Sequence, residues 1–292
     1  MNTVNGSGVP LLSKDQLEYI ADQHTLSFGR YDGKEDPGFS AWKFAAYYLK
    51  KTIRFEWLSN DGCILGLSSF ARGTRIPVYL PDENGMDWLE LGPNTILLSK
   101  MFEDSFIYPG KPRFTLMHEC AHHLLHKGYF QRKAASGSGG AVAYSLQKDE
   151  ERLFTREKKI WTDEERIEWQ ANYLASALLI PGKRLDRVLD ERGYQEDYFH
   201  HVLARSSEPA AYRQLTSRIA CAFKVSLTVA EIRLKALKFE RLPDLRIPKP
   251  DPWACYYGEP KKKRMTKEER QWEKAERSWE KARERELSRK YE

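Results

Sequence analysis

The sequence predicts an α+β fold in which a small antiparallel or mixed sheet packs on a helical body. Three observations carry this. Four short β-type segments crowd between Thr52 and Leu98, helical periodicity dominates from Pro112 onward, and no internal repeat organises the chain.

Residues 1–10 contain Gly and Ser and read as a flexible N-terminus. Ser13 with Gln16 three residues later is a capping-box pattern, so a first helix is expected from Lys14 until the Gly/Asp/Pro stretch Gly29–Gly38 breaks it. Trp42, Ala45, Ala46 and Leu49 at helical spacing predict a second helix over Ser40–Lys50. The β-type segments are Thr52–Leu58, Cys63–Phe70, Arg75–Leu80 and Thr95–Leu98. Asn60-Asp61-Gly62, Gly73 and Pro81–Gly85 separate them, because Gly supplies positive φ and Asn/Asp bond their own backbone. Pro112 suits a first helical turn and Gly128 a stop, followed by a Gly/Ser loop at Ser136–Gly140. Thr162 with Glu165 predicts a capped helix that ends before Pro181-Gly182. Two further helices, Tyr212–Phe223 and Leu227–Phe239, meet at a tight Lys224-Val225-Ser226 turn. Residues 241–260 form a Pro-rich linker, with Trp253, Tyr256 and Tyr257 as anchors, and 261–292 a charged helical tail.

The 292 residues allow one large or two small domains with a sizeable core. An apolar content of 41% and an aromatic content of 12% exclude a wholly disordered chain. The richest apolar stretch, Leu174–Ile180, falls far short of the roughly 18–20 residues of a bilayer span, so no membrane segment is expected. The start lacks the basic-then-apolar pattern of a signal peptide, and Cys63, Cys120, Cys221 and Cys255 form no Cys-x-x-Cys pair. A cytoplasmic protein with reduced thiols is the expectation. The net charge of +6 is uneven: Lys261–Glu292 holds 13 Lys+Arg against 8 Asp+Glu, leaving 35 against 34 elsewhere. The body therefore shows no strong nucleic-acid footprint by charge count alone, whereas the tail could carry one.

The sharpest chemical signal is His118-Glu119-Cys120-Ala121-His122. On a helix these two histidines lie about 40° apart around the axis and one turn apart along it, so both imidazoles can reach one zinc ion. Glu119, beside them, can accept a proton from water activated there. Cys120 points about 200° from His118, toward packing. A catalytic zinc needs a third protein ligand. His126, one turn after His122, is one option, but three successive turns of imidazole cannot easily surround a tetrahedral ion. The metzincin spacing would place a third His where Gly128 stands. Glu168, on the helix that begins near Thr162, is the better option, with Asn172 one turn later placed to orient a ligand imidazole. Ala171, Ala175 and Ala177 would let that helix approach closely. Two imidazoles and a carboxylate suit zinc, and also manganese or iron.

The run Arg113–His126 resembles the signature of the ImmA/IrrE family of zinc metallopeptidases. Glu168–Asn172 through Leu178-Leu179-Ile180-Pro181 is similar to that family's second motif, and Val225-Ser226 with Ile232-Arg233-Leu234 to its closing helical segment. The departure is Cys120-Ala121, where the family often has Gly before the second His. The resemblance implies a metallopeptidase domain over 11–240, its residues 209–240 a helical subdomain, on a zincin-like core. It implies one Zn2+ per chain on His118, His122 and Glu168, with Glu119 as the base. The implied substrate is a DNA-binding repressor of a mobile element or stress regulon. Arg113, His126 and Tyr144 are candidates to stabilise the oxyanion.

Two rival readings remain at this level. A non-cleaving anti-repressor could inactivate its target by contact alone. A DNA-binding regulator could use the 212–239 helices, with Arg233, Lys235 and Lys238 facing DNA, and the basic cluster Lys261–Arg264. Residues 212–239 also carry enough apolar side chains to be ordinary core.

Overall fold

The computed structural model describes residues 4–32, 38–83, 85–107, 110–136, 142–146, 162–191 and 208–237. All lie in one compact unit, Met1–Leu245. The linker at 241–260, the tail at 261–292, Lys238 and most of the Ser136–Gly140 loop lie outside the described residues.

Helix α1 spans Lys14–Asp32, longer than the glycine at position 29 suggested, and its start carries the expected box. Gln16 N–H donates to Ser13 Oγ at 3.3 Å, while Ser13 N–H donates to Gln16 Oε1 at 2.9 Å. The second predicted helix is one α-turn, Ala41–Lys43, that widens into a π-turn over Phe44–Tyr48. Crowding of Phe44 and Tyr48 with Phe28 and Phe39 accompanies that widening, the ring centroids lying 5.1–5.8 Å apart.

The strands are β1 (Thr52–Glu56), β2 (Ile64–Ser69), β3 (Thr74–Leu80), β4 (Gly85–Leu91), β5 (Thr95–Ser99) and β6 (Val142–Leu146). A mixed four-stranded sheet runs β1-β5-β2-β6, with β1 parallel and β2 antiparallel to β5. The β3–β4 hairpin is separate and pairs Pro77 with Trp88. Alternation along the central strands sorts two faces. Leu67 and Leu97 pack with Ile76, Val78 and Leu91 of the hairpin, whereas Ile96 and Leu98 join the helical core.

That core is built by α2 (Gly110–Leu125), α3 (Lys127–Ala135), α4 (Asp163–Leu179), α5 (Gly182–Glu191), α6 (Glu208–Phe223) and α7 (Leu227–Ala236). Thr162 and Glu165 form the reciprocal capping box of α4. Ala171, Ala175 and Ala177 are fully buried in α4, consistent with its close packing on α2. Lys224, at φ +54°, turns the chain between α6 and α7, and Ser226 caps α7 through Val229 N–H.

Two regions differ from expectation. The segment before Pro10 is tied down: Asn5 Nδ2 donates to Asp163 Oδ1 at 2.6 Å, Arg132 donates to the Gly8 carbonyl at 2.8 Å, and Val9 is fully buried beside Phe70 and Phe130. Arg233 faces no nucleic acid. It is fully buried, with Nε on the Ile180 carbonyl at 2.8 Å and its guanidinium forked on Glu18 at 2.5 and 2.7 Å. Tyr173 donates to the same carboxylate at 2.7 Å, so α1, α4 and α7 are clamped together. Lys235 is exposed and pairs with Glu231 at 2.7 Å.

Candidate metal centre

Helix α2 is buried along nearly its whole length, from Pro112 to His123, because sheet and helices cover it on all sides. His118 and His122 therefore project into protein rather than water, at 2% and 0% exposure. Their Nε2 atoms face each other at 2.9 Å. From α4, Glu168 brings Oε2 to 3.2 Å from His118 Nε2 and Oε1 to 3.5 Å from His122 Nε2. One ligand atom from each of the three lies within 4.8 Å of the others. Donors bound at about 2.0–2.1 Å to one tetrahedral zinc stand about 3.3 Å apart, and the observed separations bracket that value. Two imidazoles and a carboxylate are a donor set that fits such an ion.

The surroundings set which nitrogen is available. Asn172 Oδ1 lies 2.9 Å from His118 Nδ1 and can only accept there, so Nδ1 carries the hydrogen and Nε2 faces the centre. Burial opposes charge on His118, but Glu168, Glu119 and Asn172 outweigh it and push the imidazole up to about 9. His122 is held well below its ordinary range, first by burial and then by the neighbouring histidines.

Glu119 is fully buried, and neither carboxylate oxygen has a hydrogen-bond partner among the described residues. Burial raises it to about 8, partly offset by His118. An orphaned carboxylate beside a cluster of donors is what a cation and water would satisfy. Cys120 is buried in the helical core, and burial pushes its thiol up.

The other expected residues take different places. His126 leaves the helix, at φ −114° and ψ 0°, as the N-cap of α3. That turn sends its Nδ1 to His122 Nδ1 at 3.1 Å and its Nε2 to Gln170 Oε1 at 2.9 Å. Glu168, not His126, thus joins the facing Nε2 atoms. With both ring nitrogens engaged, His126 has no hydrogen to offer an oxyanion. Arg113 is buried, with Nη1 donating to the Gly38 carbonyl at 3.3 Å. Tyr144 is on β6 in register with Leu67, and its side chain lies outside what the structure describes. His123 packs tilted against Phe70, ring centroids 4.7 Å apart, and burial holds it down to about 3.

Two neighbours escaped the sequence reading. Gly66 on β2 lies directly against Glu119 and Thr115, a closeness visible only once strand and helix are packed. Gln170 sits two residues after Glu168, off its helical face, and gave no spacing signal.

Residues 108–235 match the family model of the M78 peptidases, described as the IrrE N-terminal-like domain. No curated protein matches the chain significantly.

Proposed function

We propose, from the premise that residues 108–235 belong to the IrrE N-terminal-like family of M78 peptidases, that this chain is a zinc-dependent metalloendopeptidase selective for one protein substrate. The observation that carries the reading is the gathering of His118, His122 and Glu168 beside the orphaned Glu119 carboxylate. The mixed sheet packed on α2, with α4 packed against the same helix, supports a zincin-like core.

His118 and His122 would hold one zinc through Nε2, and Glu168 through a carboxylate oxygen. When bound, zinc supplies a Lewis acid that polarises a peptide carbonyl and acidifies water. Glu119 accepts a proton from the attacking water at its carboxylate as the new C–O bond forms. It returns that proton to the amine nitrogen as the C–N bond breaks. Asn172 keeps His118 in the tautomer that presents Nε2.

The substrate in this reading is a DNA-binding repressor of a mobile element or stress regulon, as the family resemblance implies. The peptidase domain is residues 11–240. The site of action is the cytoplasm, consistent with the free thiols of Cys63, Cys120 and Cys221. No described helix is long and apolar enough to cross a membrane.

The test is proteome-wide labelling of new N-termini in cells expressing the wild type or Glu119→Gln. A small set of termini seen with the wild type alone supports cleavage. Equal sets, with gene derepression retained in the variant, would favour inactivation by contact.

A further inference from the structure

A continuous hydrogen-bond chain, part-buried at Pro10 and fully buried beyond it, joins the N-terminal segment to His122. The Pro10 carbonyl can only accept, so Gln170 Nε2, 2.7 Å away, must donate to it. That turns Gln170 Oε1 toward His126 Nε2 at 2.9 Å, and an amide oxygen also only accepts, so this nitrogen carries the hydrogen. His126 Nδ1 lies 3.1 Å from His122 Nδ1, and one hydrogen must sit between them.

Gln170, His126 and His122 are each 0% exposed, and a second hydrogen on His126 would place an unpaired imidazolium in a dry site. His126 Nδ1 is therefore the acceptor and His122 Nδ1–H the donor. The lone pair of His122 Nε2 is left facing His118 and Glu168.

We propose that residues 5–10 form a strap that fixes the tautomer and aim of His122 through Gln170 and His126, making both of them positioning residues for the metal. The strap lies outside the matched family domain at 108–235. It is fastened independently, through Asn5 to Asp163 and Gly8 to Arg132, with Val9 as an apolar plug. The polar chain has one self-consistent direction because a carbonyl ends it. A different end group, able to donate, would let the whole chain reverse and put a hydrogen on the nitrogen that faces the centre.

The proposal rests on the reading of His122 as a zinc ligand, and the experiment separates the two. Histidine proton–nitrogen correlation NMR on the full chain, zinc-stripped and zinc-loaded, reads each tautomer directly. The expected spectrum has His126 neutral with hydrogen on Nε2, and His122 with hydrogen on Nδ1. Gln170→Met keeps the length and removes both hydrogen bonds. It should weaken zinc about 10- to 100-fold in chelator competition and mix the tautomers of His126.

Zinc uptake with His126 carrying hydrogen on Nδ1 would overturn the chain alone. A Gln170→Met protein that binds zinc as the wild type does, with its tautomers intact, would also overturn it. A wild type that takes up no zinc would overturn the metal reading and, with it, the strap's role. The wild-type spectra decide the direction of the chain even if the variant fails to fold.

Discussion

Gly66 lies flat against Glu119: a Cβ built on it would stand 2.8 Å from Glu119 Oε1 and 2.8 Å from Thr115 Cγ2. The carboxylate tip could swing aside, but the Thr115 methyl is fixed on a buried helix. Gly66→Ala should therefore lift α2 from the sheet, at a cost of about 1–3 kcal/mol. A lowered urea midpoint, with cleavage reduced more than zinc uptake, is the expected result.

Glu119→Gln removes the base and also a group that folding holds protonated. Its folded pKa of about 8 exceeds the ordinary 4.5, so the stability it contributes is full at low pH and is lost as pH rises from 4.5 through 8. The variant lacks that loss. In chelator, its urea midpoint should exceed that of the wild type at the alkaline end of this window and match it at the acid end.

Acid should act the other way on the zinc-stripped protein as a whole. Burial holds His122, His123 and His126 below the ordinary 6.5, the last two at about 3 and about 4. Between pH 6.5 and 4.5 the unfolded chain gains these three protons while the folded chain alone keeps the Glu119 proton, an excess of two in the unfolded state among these four groups, and His24, also lowered by burial, adds to it. His118, raised to about 9, is protonated in both states there. Stability falls as pH drops through this window. The urea midpoint measured across it checks the slope, which His123→Phe should make shallower.

The Glu18–Arg233 clamp is a structural ion pair. Arg233→Ala would leave a part-buried carboxylate with Tyr173 as its one remaining partner of the clamp, at a cost of about 3 kcal/mol. Replacing both Glu18 and Arg233 with Leu should recover much of that loss. Denaturant midpoints of Glu18→Leu, Arg233→Leu and the double Leu variant measure the coupling.

What the sequence disclosed depended on the distance between partners. The Ser13 and Thr162 boxes were legible because their partners stand three residues away. His118, Glu119 and His122 were legible because one helical turn fixes their face. Glu168 needed the resemblance as well as its burial pattern, since 46 positions separate it from His122. Strand β4 was hidden because Met86–Glu90 shows no clean apolar/polar alternation: Asp87 shares a face with Leu89 and Leu91, and the apolar Met86 and Trp88 stand exposed on a hairpin. Gly66, Gln170 and the strap were not legible, because their roles arise from packing across 53 to 160 positions. Arg233 looked like a surface cation, and its partner Glu18 lies 215 positions away.

The central claim is that His118, His122 and Glu168 hold one zinc. Metal content by mass spectrometry on purified wild type, His122→Ala and Glu168→Ala tests it most directly. The account predicts about one zinc per chain in the wild type and substantial loss in both variants, each still folded by circular dichroism. No zinc in the wild type after zinc is added back, or full zinc in Glu168→Ala, would contradict it.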